Sequence, residues 1–538
     1  MGLFDRFAKV SQSPTKPPEP AASGAADAPA EARPFDVADL YGGPVASGEA
    51  APTVAPGASL DEKLRQAYFW ITNHGIISPF YDIEYAGPSS RTFRFGDAKV
   101  PVTLPSEQSY SSYVLLPLLN LAVKRRCLLV GGPGRGKTVI AVLMGVLAGY
   151  PLAEIQRTIQ HGQPQMTVAD LLGNPLPSSL VSAASLDAVK IGWRRWLSMR
   201  VRIIDEYNRI PTRTQSALLT VMADGYAEVY DQVYECPDAA WYLTANDDAG
   251  GGTYQVIEAL RDRIDVVVKA LHFNTRFLSE LLLRIEAGVK PEAVVPPEIV
   301  FTEDELRRME KAIRAVRLPD PLLRRIEHFA SWFEFLEPAA RQVEYMTKDT
   351  VKLAAIDLAE VAARDAGKDA ALDLGRQTQN GLSVRALMTI LSFVKAMAWF
   401  RGAPEVSFED VRQMLPFVLH DKLVQNPDAP FFEQAGNAAL RSDRIAWIRG
   451  LFDASCREFD RLDLDRDDPV RALARQLDEG LEGVSEAEVR RRLAAVEKTL
   501  GALADGRKMY GPLFDDVLQL KYLHQRYSNY LRWLTWAR

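Results

Sequence analysis

The chain has 538 residues, 47% apolar and 25% charged, and its 64 basic against 70 acidic side chains give a net charge of −6. That length exceeds one ordinary hydrophobic core, so two or three domains are expected, and the charge balance offers no global attraction to a phosphate backbone. No apolar run is long enough to predict a membrane span, and three scattered cysteines and six scattered histidines argue against a disulfide framework or a structural metal.

Residues 1–58 are rich in Pro, Ala, Gly and Ser. Such a composition buries too little apolar surface to offset its ordering entropy, so a disordered tail is expected. Two islands, GLFDRF at 2–7 and FDVADLYGG at 35–43, read either as docking peptides or as inert sequence. The start, MGLFDRFAKV, has no apolar signal core, and Arg6 stands where the myristoylation pattern needs Ser or Thr. A cytoplasmic protein is expected.

From Leu60 the pattern turns periodic. LDEKLRQAYFWI predicts a helix, and YVLLPLLNLAV at 113–123 predicts an apolar helix leading into a strand, RCLLVGG. Strands and helices alternate from about 60 to 270, which predicts a parallel α/β sheet flanked by helices, assigned to 59–275.

Gly131-Gly132-Pro133-Gly134-Arg135-Gly136-Lys137-Thr138 fits the P-loop pattern in full, with a strand before it and an apolar helix after it. Glycines let backbone N–H groups approach phosphates, and the helix start adds free donors and its positive dipole end. Lys137 is expected to neutralise the β- and γ-phosphates, and Thr138 to ligate Mg²⁺.

Farther on, WRRWLSMRVR at 193–202 is either a basic patch or, as preferred, a helix with solvated arginines and two core tryptophans. VRIIDE at 201–206 is an apolar strand ending in two carboxylates. Asp205 is placed on the metal, and Glu206 on the attacking water, so hydrolysis of a nucleoside triphosphate is expected. A helix from Pro211 follows, then a hairpin-like AEVYDQVYECPDAAWYLTAN that contains the strand Trp241–Thr244. Asn246, at that strand's end, can help hold the water or read the γ-phosphate.

After about 300 the chain reads as helical. Thr302 with Glu305, Ser407 with Asp410, and Ser485 with Glu488 are spaced as capping boxes. LSVRALMTILSFVKAMAWF at 382–400 is a long apolar helix. Two apolar seams, Val489–Leu503 and Val517–Leu534, predict a helical hairpin that either packs on its own domain or serves as a partner-binding arm.

Together, GGPGRGKT, IIDEYNRIPTRTQSALLTVMADG, YLTAND, GTYQVIEALRDRI at 252–264, LSVRALM and VSFEDVRQMLPFVLHDKL resemble the MoxR family of AAA+ ATPases, over about 100–425. The resemblance extends to the magnesium chelatase ATPase subunit and to dynein and midasin modules. It implies an AAA+ core, assigned to 59–275, and an all-α lid at 276–425; residues 1–100 and 426–538 have no counterpart in the family, and 426–538 are read from their own periodicity as a C-terminal helical extension. It makes Asn246 sensor 1, Arg263 the arginine finger with Arg261 as the alternative, and Arg385 sensor 2. It likens 161–180 to an insert that lines the ring pore, and leaves the roles of Asn208 and Arg209 open. It also implies ATP and Mg²⁺, a ring of six copies, and a protein client remodelled or matured, often with a von Willebrand factor A domain partner. The rival readings are a nucleic-acid-stimulated motor, which the charge disfavours, and a nucleotide-gated scaffold.

Overall fold

A computed structural model describes residues 59–536 except 78, 98, 183–188, 247–255, 364–372 and 506–507. They belong to a compact unit, Ala50–Arg538. The expected disordered tail and its two islands lie outside the described residues, as does the start of the 252–264 segment.

The central sheet has five strands, numbered in chain order: β1 (Arg126–Val130), β2 (Gln160–His161), β3 (Val201–Asp205), β4 (Ala240–Ala245) and β5 (Val266–Lys269). All neighbours are parallel, in the order β5-β1-β4-β3-β2. Helices flank the sheet, which is why β1, β3, β4 and β5 read as largely continuous apolar runs rather than alternating ones, while the short edge strand β2 is polar. Ala245 pairs with Val130 and Leu243 with Ile204, so β1, β3 and β4 end side by side. Open parallel sheets bind ligands at such carboxyl ends.

The helix Ser112–Val123 runs beneath the sheet, buried along almost its whole length. Asn120 donates to the Trp241 carbonyl at 3.1 Å, and the Tyr242 hydroxyl donates to the Pro117 carbonyl at 2.8 Å. These bonds give the buried polar groups partners and tie the helix to β4.

Beyond β5 the chain is helical. The boxes at Thr302/Glu305 and Ser407/Asp410 are both formed, at the heads of Glu303–Ala315 and Phe408–Leu419. Ser383 caps Val384–Phe400. One buried cluster runs from Leu64 through β1 and this helix to Trp447, Leu451 and Phe452 of the helix Arg444–Arg461.

The predicted hairpin forms from Glu486–Ala504 and Gly511–Trp536, with Pro469–Asp478 against it. Its core is Val470, Leu473, Val489, Val496, Leu520, Leu523 and Tyr527, so the hairpin packs within its own chain. Two details differ from the sequence reading. Ser485 accepts from the Glu488 N–H, but the Glu488 carboxylate turns to Arg491 and Arg492 instead of closing the box. The 3-4 spacing of the Val517–Leu534 seam, counted from Leu520 through Tyr527, puts His524 on it, but Leu523 takes that inner seat and His524 lies farther out beside Glu497 at 3.2 Å. A straight helix drifts off a strict 3-4 seam, and that drift selects Leu523.

Antiparallel ribbons interrupt the alternation expected over 60–270. Arg91–Phe95 pairs with Val100–Leu104, and Gly173–Pro175 with Ile191–Trp193. In the first, Phe93 faces Val102 and Phe95 faces Val100 on one apolar and exposed side. Of the hairpin-like AEVYDQVYECPDAAWYLTAN, the first half forms the hairpin, Tyr226–Val229 with Gln232–Glu235, while Ala240–Ala245 joins the central sheet.

The WRRWLSMRVR stretch is not the expected helix. Trp193 ends a strand, Arg195–Ser198 is a single tight turn, and Arg202 is buried in β3. The Arg202 guanidinium lies 4.9 Å from the Trp241 ring and donates to the Leu197 and Pro237 carbonyls, so it is spent on packing rather than displayed. Among the described residues, no helix is long and apolar enough to cross a membrane.

Candidate functional site

The Gly131–Thr138 loop leaves the tip of β1 and enters the helix Lys137–Leu147. Gly131 adopts φ +152°, and a Cβ there would come within 2.6 Å of the Ala270 carbonyl oxygen, so the close pass to the end of β5 requires glycine. Two bonds steady the loop: the Tyr113 hydroxyl donates to the Arg135 carbonyl at 3.0 Å, and the Arg135 guanidinium donates to the Ala270 carbonyl at 2.9 Å. Burial pushes the Tyr113 hydroxyl up, keeping it a donor.

Lys137 is buried. Its ammonium donates to the carbonyls of Gly131 and Gly132 at 2.6 and 2.8 Å and to Asn246 Oδ1 at 2.9 Å. The next residue, Thr138, donates to Asp205 Oδ1 at 2.9 Å. Thus the helix start after β1 reaches the ends of β4 and β3 through consecutive side chains.

Asp205 is the last residue of β3. Its Oδ1 also accepts from the Thr244 hydroxyl at 2.6 Å, and its Oδ2 lies 3.3 Å from His161 Nδ1. The chain then turns left-handed at Glu206, φ +53°. The Glu206 N–H donates to Thr244 Oγ1 at 2.9 Å, so one hydroxyl orients both acids. Asn246 Nδ2 donates to Glu206 Oε1 at 2.7 Å, and Arg209 Nε faces Glu206 Oε2 at 3.1 Å. Behind this turn, Gly162 N donates to the Asp205 carbonyl at 2.7 Å, and a Cβ at 162 would fall 2.2 Å from the Glu206 carbonyl oxygen.

Lys137, Thr138, Asp205, Glu206 and Asn246 therefore converge at the ends of three adjacent strands. Arg263 and Arg385 sit elsewhere. Arg263 ends the helix Glu258–Arg263 and donates to the Ala259 carbonyl at 2.9 Å. Arg385, in the first turn of Val384–Phe400, forms an ion pair with Asp262, to which Ser383 also donates at 3.3 Å. Arg261, the alternative finger, is exposed.

The 161–180 stretch is more ordered than a plain loop. Thr167 and Asp170 form a capping box on Val168–Leu172, the ribbon strand Gly173–Pro175 follows, and Pro177–Ser182 is helical. Leu180 and Val181 are exposed there.

Sequence reasoning missed Thr244, His161 and the Arg209 contact. Thr244 had a readable signal: it is the hydroxyl two residues before Asn246 in an otherwise apolar strand, so it shares that residue's side of the strand. His161 had none, because its meeting with Asp205 depends on β2 pairing with β3.

The chemical capacity is that of a triphosphate site. A buried ammonium and the N-terminus of a helix can take phosphate charge, two oxygen donors suit a hard cation, and a second carboxylate beside them can accept a proton.

The family model for ATPases associated with various cellular activities (AAA) matches residues 126–266, and an AAA lid domain model matches 371–441. The chain is 25% identical over 313 residues to the chaperone MoxR1 of Mycobacterium tuberculosis (strain ATCC 25618 / H37Rv), covering 58% of this chain and 71% of that one. It is 23% identical to the uncharacterized protein YeaC of Bacillus subtilis (strain 168), covering 61% and 86%, respectively. It is 22% identical to protein MoxR of Paracoccus denitrificans, covering 64% and 89%.

Proposed function

The chain belongs to the MoxR-type AAA+ ATPases, with an AAA module and its lid in order, and from that premise we propose that it binds and hydrolyses ATP to remodel a client protein. The observation that carries the reading is the bridge through Asn246, which touches Lys137 on one side and Glu206 on the other. A phosphate-binding group and a proton acceptor are thereby joined through one amide at the strand ends.

In this reading Lys137 leaves its carbonyl partners for the β- and γ-phosphates, a stronger acceptor set. Asn246 holds the attacking water or a γ-phosphate oxygen. Glu206 accepts the water's proton as the water's oxygen bonds to the γ-phosphorus and the bond to ADP breaks. A Mg²⁺ ion bound with the nucleotide neutralises charge on the phosphates. The Thr138 hydroxyl and Asp205 carboxylate, hard oxygen donors 2.9 Å apart, fit such an ion.

Arg263 has its hydrogen bond within its own helix, which supports a role toward a neighbouring copy's nucleotide. With Arg263 as a finger in trans, six copies form a ring and the ATP sites lie between subunits. Arg385 reports nucleotide state to the lid as sensor 2, exchanging Asp262 for phosphate. The 161–180 arm works on the client at the pore, alongside a partner with a von Willebrand factor A domain. The name of the MoxR1 relative, a chaperone, supports client work of this kind.

The test is phosphate release by the purified chain, with calorimetric nucleotide binding beside it. Lys137→Ala is expected to lose ATP binding. Glu206→Gln is expected to bind ATP while turnover falls by about 10²-fold or more. Retained affinity in the first variant, or full turnover in the second, refutes the assignment. Light scattering in ATP reads the ring: a mass that stays that of a monomer rules it out. Capture with the Glu206→Gln chain held in ATP tests for the von Willebrand factor A partner.

A further inference from the structure

At the end of β1 away from the Gly131–Thr138 loop, three helices meet around a cleft of about 200 Å³. They are Ser112–Val123, Glu303–Ala315 and Val384–Phe400. β1 is five residues long, so about 15 Å of strand separates the cleft from the loop. The apolar lining is Val123, Ile313 and Leu391; the charged lining is Arg125, Glu310, Arg314 and Lys395. Glu310 is already neutralised, by Lys124 Nζ at 3.1 Å and by the Arg314 guanidinium. Arg125 and Lys395 are different. Among the described residues both bond only neutral oxygens: the Arg125 guanidinium donates to the Ser392 hydroxyl at 3.1 Å, and Lys395 Nζ to the Arg314 carbonyl at 3.0 Å. Arg125 Nε is buried and has no partner among the described residues. A buried N–H without an acceptor is costly, and a guanidinium finds its strongest partner in a carboxylate, which takes two parallel N–H bonds.

Local geometry brings these groups together. The helix Ser112–Val123 stops at Lys124, which is left-handed at φ +49°. The turn sends Lys124 to Glu310 and Arg125 to Ser392, so adjacent cations serve different helices. Ser392 and Lys395 lie three residues apart on Val384–Phe400 and share a face. Thr389, one turn earlier, bonds Asp265 at 2.6 Å. Thr389 and Ser392 therefore fasten one face of this helix to the starts of β5 and β1, and the cleft lies beside the second fastening.

We propose that the cleft is a second binding site, for a small dicarboxylic acid, and that its ligand ties the helix Val384–Phe400 to the root of β1. One carboxylate takes Arg125, including the unpartnered Nε, and the other takes Lys395. The carbon chain between them lies on Val123, Ile313 and Leu391. Two unneutralised cations call for two negative charges, and the apolar lining calls for a carbon body rather than an inorganic anion. The volume falls below the roughly 300–1,000 Å³ of drug-sized sites, which suits a chain of about four to six carbons. β1 leads into the Gly131–Thr138 loop, and Val384–Phe400 carries Arg385 in its first turn, so a ligand that ties the two slows ATP turnover. That consequence rests on the hydrolytic reading above; the binding site does not.

The test is thermal unfolding of the full chain at constant ionic strength, titrated with glutarate. Glutarate is expected to raise Tm saturably, by about 2–4 °C. Glutaramide has the same body and no charge, and inorganic phosphate has charge and no carbon body; each is expected to give less than about one-third of that shift. Lys395→Gln is expected to weaken the glutarate midpoint by about tenfold, and Arg125→Gln by about 10²-fold. Lys395 is half-buried and bonds one carbonyl, so its variant carries the test if the arginine variant does not fold. Absence of a saturable glutarate shift overturns the proposal, as does an equal shift with phosphate or a Lys395→Gln chain that responds like wild type. Saturating glutarate is also expected to lower kcat by about fivefold, with the same midpoint as the Tm response. Unchanged turnover at saturation overturns the tie between helix and strand. If the wild type does not hydrolyse ATP, the hydrolytic reading falls, and the Tm titration still decides the site.

Discussion

Replacing Thr244 with valine keeps the shape of β4 and removes one hydroxyl. That hydroxyl makes two bonds: it donates to Asp205 Oδ1 at 2.6 Å and accepts from the Glu206 N–H at 2.9 Å. A bond to a charged group contributes about 1.5–3 kcal/mol and a neutral one about 1 kcal/mol, so together they hold the acids with about 3 kcal/mol. If half of that restraint is needed at the transition state, turnover falls by about tenfold; if all of it, by about 10²-fold. Thr244→Ser is the control, because it keeps the hydroxyl and loses only a methyl group. Phosphate release at saturating ATP is the assay, with calorimetric ATP affinity alongside. The expected pattern is a valine variant slowed about 10- to 100-fold with near-normal ATP affinity, and a serine variant within about threefold of wild type. Valine turnover within threefold of wild type refutes the claim that this hydroxyl orients the acids.

Arg263→Ala is expected to spare ATP binding and lose hydrolysis, and mixing it with Lys137→Ala subunits, whose fingers are intact, is expected to restore part of the rate; no recovery at any mixing ratio rules out action in trans. DNA or RNA is expected to leave ATP turnover unchanged, and strong stimulation in a titration favours the nucleic-acid motor instead. Burial against Trp332 and Phe459 pushes the His328 imidazole down from 6.5 to about 4, so its folded form stays neutral where the unfolded chain takes up a proton. This contribution to stability is complete above pH 6.5 and declines as pH falls toward 4. His328→Gln is expected to flatten that part of the Tm-against-pH curve, and an unchanged slope refutes the cause.

The parts of this molecule legible in the sequence are those specified by neighbours along the chain. The Gly131–Thr138 loop is such a case, because strand, turn and helix lie within about twenty residues and each constrains the next. So are the boxes at Thr302 and Ser407, where cap and partner are three residues apart. The Ser485 box has the same spacing, yet Glu488 lies within reach of Arg491 and Arg492, and the cations win its carboxylate. The Phe93/Val102 ribbon follows a period of two that could have been read, but a uniform reading of alternating strands and helices passed over it. What depended on tertiary placement was out of reach: that Arg209 folds back on Glu206, that His161 meets Asp205, and that Arg385 is paired with Asp262.

Asp265, buried just before β5, is shared by two bodies. One oxygen accepts from the Arg126 N–H at the root of the strand that leads into the Gly131–Thr138 loop, at 3.0 Å; the other accepts from Thr389, in the helix Val384–Phe400, at 2.6 Å. Asp265 also pairs with the Arg126 guanidinium at 3.3 Å, so a swing of that helix as a rigid piece strips the Thr389 hydroxyl from a buried carboxylate held on the strand side, which is costly in a low-dielectric interior. The joint is therefore stiff under small loads and gives way abruptly under large ones, so motion across it proceeds in a step rather than as a smooth bend.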